Sequence, residues 1–273
     1  MVSTQPFDGA DLDPFRKKPA VAGVFVDFDG TLSEIVDEPA DAELVPGSLQ
    51  VLASLAERYG QVGVLSGRPV AFIESQVSAA PALSSRLVLS GLYGLETIID
   101  GKRHDHPLGG VWREAVDDIA SRSAALGPEG MRVEAKGLSL TLHYRGRPER
   151  EPDVRAWAEQ QAARSGLTVR PARMSFELHP PIEVDKGTAL LDLVAPADSG
   201  ERVPRLGAVC FLGDDVGDLP AFDGLDDLAA RGLTTVRIAV RSAEGSPELL
   251  ERADVVVDGP TGALALLEAL AAA

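Results

Sequence analysis

Two aspartates, Asp27 and Asp29, stand where an apolar run of the sequence ends. Residues 21–26 predict a buried strand, and Gly30 then permits a turn. Two carboxylates so close repel each other and raise one pKa unless a cation lies between them. Carboxylate and carbonyl oxygens are the ligands that Mg²⁺ prefers. The spacing predicts a metal-assisted site at the carboxyl end of a sheet strand, and a plain acidic turn is the alternative.

Three further polar clusters follow apolar runs or open helices. Ser66 follows the strand predicted at 62–65, and Lys186 opens a helix. Gly213-Asp214-Asp215, with Asp218 three residues on, follows the apolar run 206–212. Ser66 also fits a helix cap, and Lys186 also fits a solvated lysine at a helix start.

These residue types suit attack on phosphorus. A carboxylate is a competent nucleophile when the phosphoryl oxygens are neutralised, and we predict that role for Asp27. Asp29 can protonate the leaving oxygen and then deprotonate the attacking water. The hydroxyls of Thr31 and Ser66 can hold the transferring oxygens, and Lys186 adds its charge to that of a helix N-terminus.

Composition narrows the class of protein. The chain has 273 residues, of which 45% are hydrophobic and 25% charged, as in ordinary globular proteins. A net charge of −16 argues against a nucleic-acid or anionic-membrane partner. The single cysteine, Cys210, stands in an apolar run and predicts an inert core thiol in a reducing compartment. With no apolar window long enough to span a membrane, we predict a cytoplasmic protein.

Predicted strands and helices alternate at both ends of the sequence, and the middle region does not continue this alternation. We predict a parallel-sheet α/β core from 20–100 and 182–273 and an inserted smaller α/β domain at 101–181. Residues 1–19 have no periodicity and are predicted to be a mobile arm.

One segment of the insert, residues 131–145, is predicted to be a strand with a bulge. A strict period of two would put apolar residues on both faces, and a bulge at Gly137 restores one apolar face. The opposite face then carries Glu134, Lys136, Ser139, Thr141 and His143. A surface cross-strand ion pair is the alternative role for Glu134 and Lys136.

The four clusters resemble, in order and spacing, the signatures of phosphatases of the haloacid dehalogenase superfamily. Asp-x-Asp-Gly-Thr, a Ser after a strand, a Lys and Gly-Asp-Asp-x-x-Asp stand here at 27–31, 66, 186 and 213–218. The resemblance implies a Rossmann-like parallel-sheet core with an inserted α/β cap and a Mg²⁺ cofactor. It places the strand before Asp214 beside the first strand, so that the Asp27 and Asp214 side chains and the Asp29 carbonyl hold the metal. Asp215 and Asp218 are then expected to orient the ligands.

Within this superfamily the chain is similar to the trehalose-6-phosphate phosphatases. The similar segments are 27–36, 65–68, 133–145, 176–178 and 186–187. The resemblance implies hydrolysis of a small sugar phosphate, trehalose 6-phosphate, through an aspartyl-phosphate intermediate. Residues expected to bind that substrate are Gly67, Arg68, Glu134, Lys136 and Glu177.

Two departures from the family pattern lie on the substrate side or its support. The Gly-x-His-Gly stretch of the family reads Gly91-Leu-Tyr93-Gly94 here, and its usual Thr before the last acidic residue is Gly217. A phosphatase for another sugar or pseudo-sugar phosphate, and a sugar phosphomutase, therefore stay open as alternatives. A non-catalytic sensor is predicted to lack the nucleophile or the acid, and this sequence has both aspartates.

Overall fold

The computed structural model describes residues 12–36, 39–80, 83, 85–172, 174–194, 206–242 and 245–272. The strands in these ranges are β1 (Ala22–Val26), β2 (Gln61–Leu65), β3 (Val88–Gly91), β4 (Glu96–Ile99), β5 (Lys102–Asp105), β6 (Arg132–Ala135), β7 (Leu140–His143), β8 (Thr168–Ala172), β9 (Ser175–His179), β10 (Ala208–Gly213), β11 (Thr234–Arg241) and β12 (Val255–Asp258). The helices there are α1 (Asp13–Lys17), α2 (Ser48–Arg58), α3 (Val70–Val77), α4 (Arg113–Leu126), α5 (Glu151–Ser165), α6 (Lys186–Val194), α7 (Leu219–Ala230), α8 (Pro247–Arg252) and α9 (Gly259–Ala271). In this part of the chain no helix has the length and apolar character needed to cross a bilayer.

Contacts between residues divide the chain into two compact units. The core unit runs to His104 and resumes at Val184, and the insert unit is Asp105–Glu183. The insert predicted at 101–181 lies within four residues of these bounds.

The core unit is built on a sheet that, over the described residues, has the strand order β12-β11-β10-β1-β2-β3-β4-β5. Strands β12 through β3 in that order pair in parallel, and β4 pairs antiparallel with β3. β1 therefore lies between β10 and β2 at the centre of the sheet. The predicted α/β fold with a parallel-sheet core is confirmed.

β1 is buried on both faces, which explains its unbroken apolar sequence. Val24 and Val26 belong to an apolar cluster with Leu52 of α2. Phe25 belongs to a second cluster with Leu190 of α6. Helices cover both faces of parallel sheets, so these strands need apolar residues at every position rather than at alternate ones.

Residues 96–105 add a hairpin to the sheet that the sequence analysis did not predict. Glu96 of β4 is 4% exposed, and its carboxylate accepts from the Val70 N–H at 2.9 Å and from Arg103 of β5 at 2.6 Å. Each strand has only four residues, and β5, Lys-Arg-His-Asp, has no apolar residue, so apolar periodicity could not predict the hairpin.

The prediction of a mobile arm at 1–19 is wrong for its last part. α1 forms there, and Leu12 and Phe15 are both fully buried. Burial of these two apolar side chains favours a fixed position although the helix is only five residues long. The earlier part of the predicted arm, residues 1–11, lies outside the described residues.

The insert unit has an antiparallel sheet of order β6-β7-β9-β8 in its described residues. One face packs on α4 and α5 through a cluster that includes Leu140, Leu142 and Phe176. The opposite face is polar, and it carries Glu134 of β6 beside Thr141 of β7.

The prediction of one bulged strand over 131–145 is wrong, because β6 and β7 form a hairpin. Gly137 lies in the turn with φ +84°, a conformation that favours glycine, and the Lys136 N–H donates to the Ser139 carbonyl at 2.9 Å. The turn at Gly137 moves the polar face from even to odd positions of the sequence, as the predicted bulge would have done. The predicted placing of Glu134 and Thr141 on one face therefore agrees with their cross-strand pairing.

Candidate active site

Three adjacent parallel strands end in polar residues at one edge of the core sheet. Asp27 follows β1, Ser66 follows β2 and Asp214 follows β10. The Asp27 N–H donates to the Leu212 carbonyl at 2.8 Å, so the strand ladder holds its backbone up to the carboxylate. This edge is where open α/β sheets bind ligands, at the point where the strand order reverses.

Gly30 lets the loop after β1 pass directly against Asp214. Its φ is +80°, and a Cβ at this position would overlap the Asp214 carboxylate. Glycine therefore meets two requirements here, the left-handed conformation and the close approach.

A buried ion-pair cluster lies at this edge. Lys186 Nζ donates to Asp27 Oδ1 and to Asp218 Oδ1, at 2.6 Å in each case. The side chains of Lys186 and Asp27 are each 5% exposed, and that of Asp218 is fully buried. Asp214 lies beside these carboxylates. We call the three aspartates, Asp27, Asp214 and Asp218, together with the Lys186 that pairs with them, the acidic cluster.

Local structure brings Lys186 to these carboxylates. The Asp185 side chain accepts from the Thr188 N–H at 2.7 Å, and the Thr188 hydroxyl accepts from the Asp185 N–H at 2.9 Å, so the first turn of α6 is capped. Gly187 lies so close to the Pro220 carbonyl that a Cβ would clash with it. The first turns of α6 and α7 can therefore approach each other.

Asp218 links Lys186 to the backbone that presents Asp214. Its Oδ2 accepts from the N–H groups of Asp214 at 2.9 Å and Asp215 at 3.1 Å. The Asp215 carboxylate accepts from the Gly217 N–H at 2.7 Å, which completes a capping box. Asp215 and Asp218 thus fix the backbone of the turn that follows Asp214.

Burial and crowding govern the charges of the cluster. Burial raises the pKa of Asp27 well above its usual value; Lys186 opposes this effect, and the carboxylates of Asp218 and Asp214 add to it. Burial also raises the pKa of Asp218, again against Lys186. Burial disfavours the Lys186 ammonium, yet Asp218 and Asp27 outweigh it and raise the Lys186 pKa well above its usual value. A further cation beside Asp27 would therefore favour its ionised form.

The donor set of the cluster fits a divalent metal. Among the described residues, carboxylate oxygens of Asp27, Asp214 and Asp218 lie within 4.8 Å of one another. An all-oxygen set of this kind suits Mg²⁺. Both oxygens of Asp218 already bind Lys186 and backbone N–H groups, so Asp27 and Asp214 are the better ligands.

The Asp29 carboxylate pairs with Arg68. Arg68 Nε donates to Asp29 Oδ2 at 2.8 Å, and Nη2 donates to Oδ1 at 2.6 Å. The Ser66 hydroxyl accepts from the Arg68 N–H at 3.1 Å. The sequence analysis placed Arg68 on the substrate side and did not foresee its pairing with Asp29.

Thr31 and Ser66, whose hydroxyl groups are predicted to hold phosphoryl oxygens, are both buried. Within the described part of the chain, Thr31 Oγ1 has no hydrogen-bond partner although the residue is fully buried. Ser66 is 1% exposed. A buried hydroxyl without a partner costs free energy unless a ligand satisfies it, so Thr31 fits an oxyanion.

Gly67 and Tyr93 are in close contact in the core unit. A Cβ on Gly67 would lie 2.7 Å from the Tyr93 hydroxyl oxygen. Tyr93 has φ +60°, which is unusual for a residue other than glycine, and its N–H donates to the Ser66 carbonyl at 3.1 Å. The segment 91–94, which departs from the family pattern, thus supports the loop that carries Ser66.

The predicted sugar-binding residues lie in the insert unit. Glu134 Oε2 lies 2.8 Å from His143 Nε2, and Ser139 Oγ donates to Glu177 Oε1 at 2.6 Å. Strand pairing aligns Glu134, Thr141, Glu177 and Arg170 across the sheet, and we call these four the polar row. Lys136 lies in the turn between β6 and β7, outside the row. Sequence parity predicted Thr141 on this face, whereas Arg170 was not predicted because its place depends on the strand order.

The comparison with protein families gives a match to trehalose-phosphatase over residues 25–254. The chain belongs to this family. A trehalose-phosphate phosphatase of Mycobacterium tuberculosis is 35% identical over 210 residues, which are 73% of this chain and 50% of that protein. An uncharacterized glycosyl hydrolase of the same organism is 34% identical over 238 residues, 84% of this chain and 16% of that protein. The chain thus spans half or less of the length of these curated relatives.

Among solved structures, the C-terminal domain of trehalose-6-phosphate phosphatase from C. albicans is similar to this fold. The TM-score is 0.73 at 24% identity, and the match covers 95% of this chain and 94% of that one. At this level of identity the similarity shows that the two chains share a fold.

Proposed function

We propose that this chain is a Mg²⁺-dependent phosphatase that hydrolyses trehalose 6-phosphate to trehalose and phosphate. Family membership and the relatives named trehalose-phosphate phosphatase support this proposal. The observation that carries it is the acidic cluster, in which Asp27 meets Lys186 and Asp214 at the end of β1. The proposed nucleophile, Asp27, thus has an ammonium group and a second metal-ligating carboxylate beside it.

In the first half-reaction, an Asp27 carboxylate oxygen attacks phosphorus and forms an aspartyl phosphate. The bond from phosphorus to the sugar oxygen breaks, and that oxygen takes a proton from the Asp29 carboxyl group. Trehalose leaves as the neutral alcohol.

In the second half-reaction, the Asp29 carboxylate takes a proton from water as the water oxygen attacks phosphorus. The bond from phosphorus to the Asp27 oxygen breaks and restores the carboxylate. One side chain serves as acid and then as base, so each half-reaction leaves it in the state that the other needs.

The remaining groups hold the phosphoryl oxygens. Asp27, Asp214 and the Asp29 carbonyl would hold Mg²⁺, which when bound neutralises charge on those oxygens. Lys186 keeps a positive charge beside Asp27, and the hydroxyls of Thr31 and Ser66 donate to the transferring group.

For the sugar, we assign recognition to Glu134, Lys136 and Glu177, with Gly67 on the phosphate side. A polyol needs acceptors and donors, and two carboxylates with an ammonium offer both. We also retain the cytoplasmic location. A reducing compartment is supported by the single cysteine of the sequence, Cys210, which leaves no internal disulfide to form. Burial raises the pKa of its thiol to about 12, so the thiol stays protonated and inert.

The test is phosphate release from a panel of sugar phosphates, with Mg²⁺ and with a chelator, and identification of the sugar product. We expect the highest kcat/KM for trehalose 6-phosphate, and loss of turnover without the metal. A better substrate among other sugar phosphates contradicts the sugar assignment. Isomerised sugar phosphate in place of free phosphate indicates a mutase, and binding without turnover indicates a sensor.

A further inference from the structure

Arg68 binds both carboxylate oxygens of Asp29. The two contacts, Nε to Oδ2 at 2.8 Å and Nη2 to Oδ1 at 2.6 Å, are parallel charge-assisted hydrogen bonds. Such a bidentate pair fixes the plane of the carboxylate as well as compensating its charge. A lysine in place of Arg68 could supply the charge but not the plane.

Arg68 is itself held in place by two other groups. Its Nη1 donates to the Pro39 carbonyl at 2.7 Å, and the guanidinium lies over the Phe72 ring, 4.7 Å from the centroid. The Phe72 ring meets the edge of Phe28 at a centroid distance of 5.4 Å, and Phe28 stands between Asp27 and Asp29 in the chain. The Arg68 side chain is 12% exposed, against 37% for Asp29. The more fixed partner is therefore the arginine.

We propose that Arg68 is a positioning residue, which orients the Asp29 carboxyl group for proton transfer, and is not a ligand of the substrate phosphate. This inference rests on the proposed function, in which Asp29 is the acid and base. The geometry that supports it lies within the core unit, where three of the five N–H donors of the Arg68 guanidinium bind Asp29 and the Pro39 carbonyl.

The chemistry of the first half-reaction shows what this position controls. As Asp27 bonds to phosphorus, the electron pair of the broken bond stays with the sugar oxygen, which takes the Asp29 proton. A sugar alkoxide is a poor leaving group and needs this proton, whereas a nitrophenolate leaves without it. An Asp29 that is badly oriented should therefore slow hydrolysis of a sugar phosphate selectively.

The experiment compares Arg68→Ala with wild type on trehalose 6-phosphate and on p-nitrophenyl phosphate. We expect kcat/KM to fall about 10²-fold for the sugar phosphate, the lower range of general acid catalysis, and by less than about 5-fold for the aryl phosphate. Arg68→Lys should recover part of the loss. The matched control is Arg241→Ala, which breaks an ion pair with Asp258 on the exposed surface and should change neither value.

A double-mutant cycle with Asp29→Asn separates the two roles of Arg68. If Arg68 acts through Asp29, adding Arg68→Ala to Asp29→Asn lowers kcat/KM for the sugar phosphate no further. Equal losses on both substrates, additive with Asp29→Asn, would mean that Arg68 binds phosphate and would overturn the inference. Should Arg68→Ala fail to fold, as judged by circular dichroism, Arg68→Lys and Arg68→Gln replace it in the same cycle.

The wild-type enzyme separates failure of this inference from failure of the proposed function. If the wild type releases no phosphate from either compound, the proposed function is overturned, and the inference with it. If it releases phosphate and the cycle is additive, only the role of Arg68 is overturned.

Discussion

The acidic cluster of the core unit and the polar row of the insert unit are held in different ways. Lys186 bridges Asp27 and Asp218 in nearly complete burial, and Asp218 also binds backbone N–H groups. In the polar row, Glu134 pairs with His143, and these side chains are 25% and 17% exposed, whereas Thr141 and Glu177 are buried and Glu177 accepts from the Ser139 hydroxyl. The Glu134–His143 pair, which is partly hydrated, exchanges partners more easily than the buried charges of the acidic cluster do.

Under the proposed function, the two regions have different tasks. Groups that react must be in place before substrate arrives, because orienting them during the reaction adds to the barrier. Groups that recognise a sugar can keep temporary partners and give them up to hydroxyl groups. Substitutions in the cluster should therefore affect every phosphate monoester, and substitutions in the row only the sugar phosphate.

Asp27→Asn is expected to have the largest effect. It keeps the size of the side chain but removes the nucleophile, so phosphate release should fall by about 10⁴-fold or more on sugar and aryl substrates alike. Asp223→Asn, which breaks only a surface ion pair with Arg252, is the matched control. Substantial turnover in a pure, folded Asp27→Asn protein contradicts the mechanism.

Lys186→Met tests the buried ion pairs. Removing the ammonium leaves Asp27 and Asp218 buried without it, which should lower the free energy of unfolding by about 3–5 kcal/mol at neutral pH and abolish turnover. Burial already raises the pKa of both carboxyl groups, so the folded variant takes up protons more readily than the unfolded chain. Its stability should therefore be higher at about pH 5, nearer the ordinary carboxyl pKa, than at about pH 7, because the folded variant binds protons that the unfolded chain does not yet bind.

Urea denaturation at both pH values measures this change. Lys17→Met serves as the control, because Lys17 pairs with Asp13 on the exposed surface and its loss should leave unfolding close to wild type. A Lys186→Met protein as stable as wild type at neutral pH shows that the cluster holds no strong ion pair.

Gly30→Ala tests the close approach of the loop to Asp214, and Gly232→Ala controls for backbone strain. Gly232 has φ +93°, and a Cβ at this position would have no other atom within 4 Å. Its substitution therefore costs only the strain of a left-handed backbone conformation, about 1–2 kcal/mol. Gly30→Ala also displaces Asp214, which should lower turnover about 10²-fold. Equal effects of the two substitutions, in thermal unfolding and in turnover, would show that the contact with Asp214 has no role.

How far the sequence predicts this molecule depends on how local the signal is. The run 21–26 and its aspartates predicted a buried parallel strand because apolar composition and a glycine turn lie within ten residues. The hairpin at 96–105 was missed because its strands are only four residues long and β5 has no apolar residue. Glu96 is buried through its hydrogen-bond partners rather than through an apolar side chain. Parity assigned the face of Glu134 while mistaking a turn at Gly137 for a bulge, since both shift the pattern in the same way.

The site shows the same limit. Asp214 beside Asp27 followed from the strand order implied by the family resemblance, and the Asp215 and Asp218 contacts lie within one turn of chain. The pairing of Arg68 with Asp29 spans 39 positions and depends on where α3 and the 39–41 segment fold. No spacing in the sequence encodes such a contact, so only coordinates could reveal it.

Glu177→Gln tests the polar row with a smaller expected effect. The amide keeps its size and one acceptor but loses the charge, so kcat/KM for trehalose 6-phosphate should fall about 10-fold, the value of one charged hydrogen bond. Hydrolysis of p-nitrophenyl phosphate should stay at the wild-type rate. Glu149→Gln, on an exposed glutamate of the same unit, is the control. Equal losses on both substrates would place Glu177 in the machinery of phosphoryl transfer and break the contrast.

Thr141→Val is expected to have the smallest effect. It distinguishes a sugar-binding role of the Thr141 hydroxyl from a purely structural one. Thr141 is 3% exposed, and in the part of the chain that the structure describes its hydroxyl has no hydrogen-bond partner. Valine keeps the shape, so the free energy of unfolding should stay equal or rise, because a buried polar group without a partner is removed.

If the hydroxyl binds sugar, the same substitution lowers kcat/KM for trehalose 6-phosphate about 3-fold, as expected for one neutral hydrogen bond, and leaves the aryl phosphate unchanged. Thr235→Val, in β11 of the core unit, is the matched control. Unchanged kinetics with raised stability would mean that the sugar makes no contact there, and the recognition surface would then contract to Glu134, Lys136 and Glu177. A loss on the sugar substrate alone would show that the row keeps a destabilising hydroxyl because the substrate satisfies it.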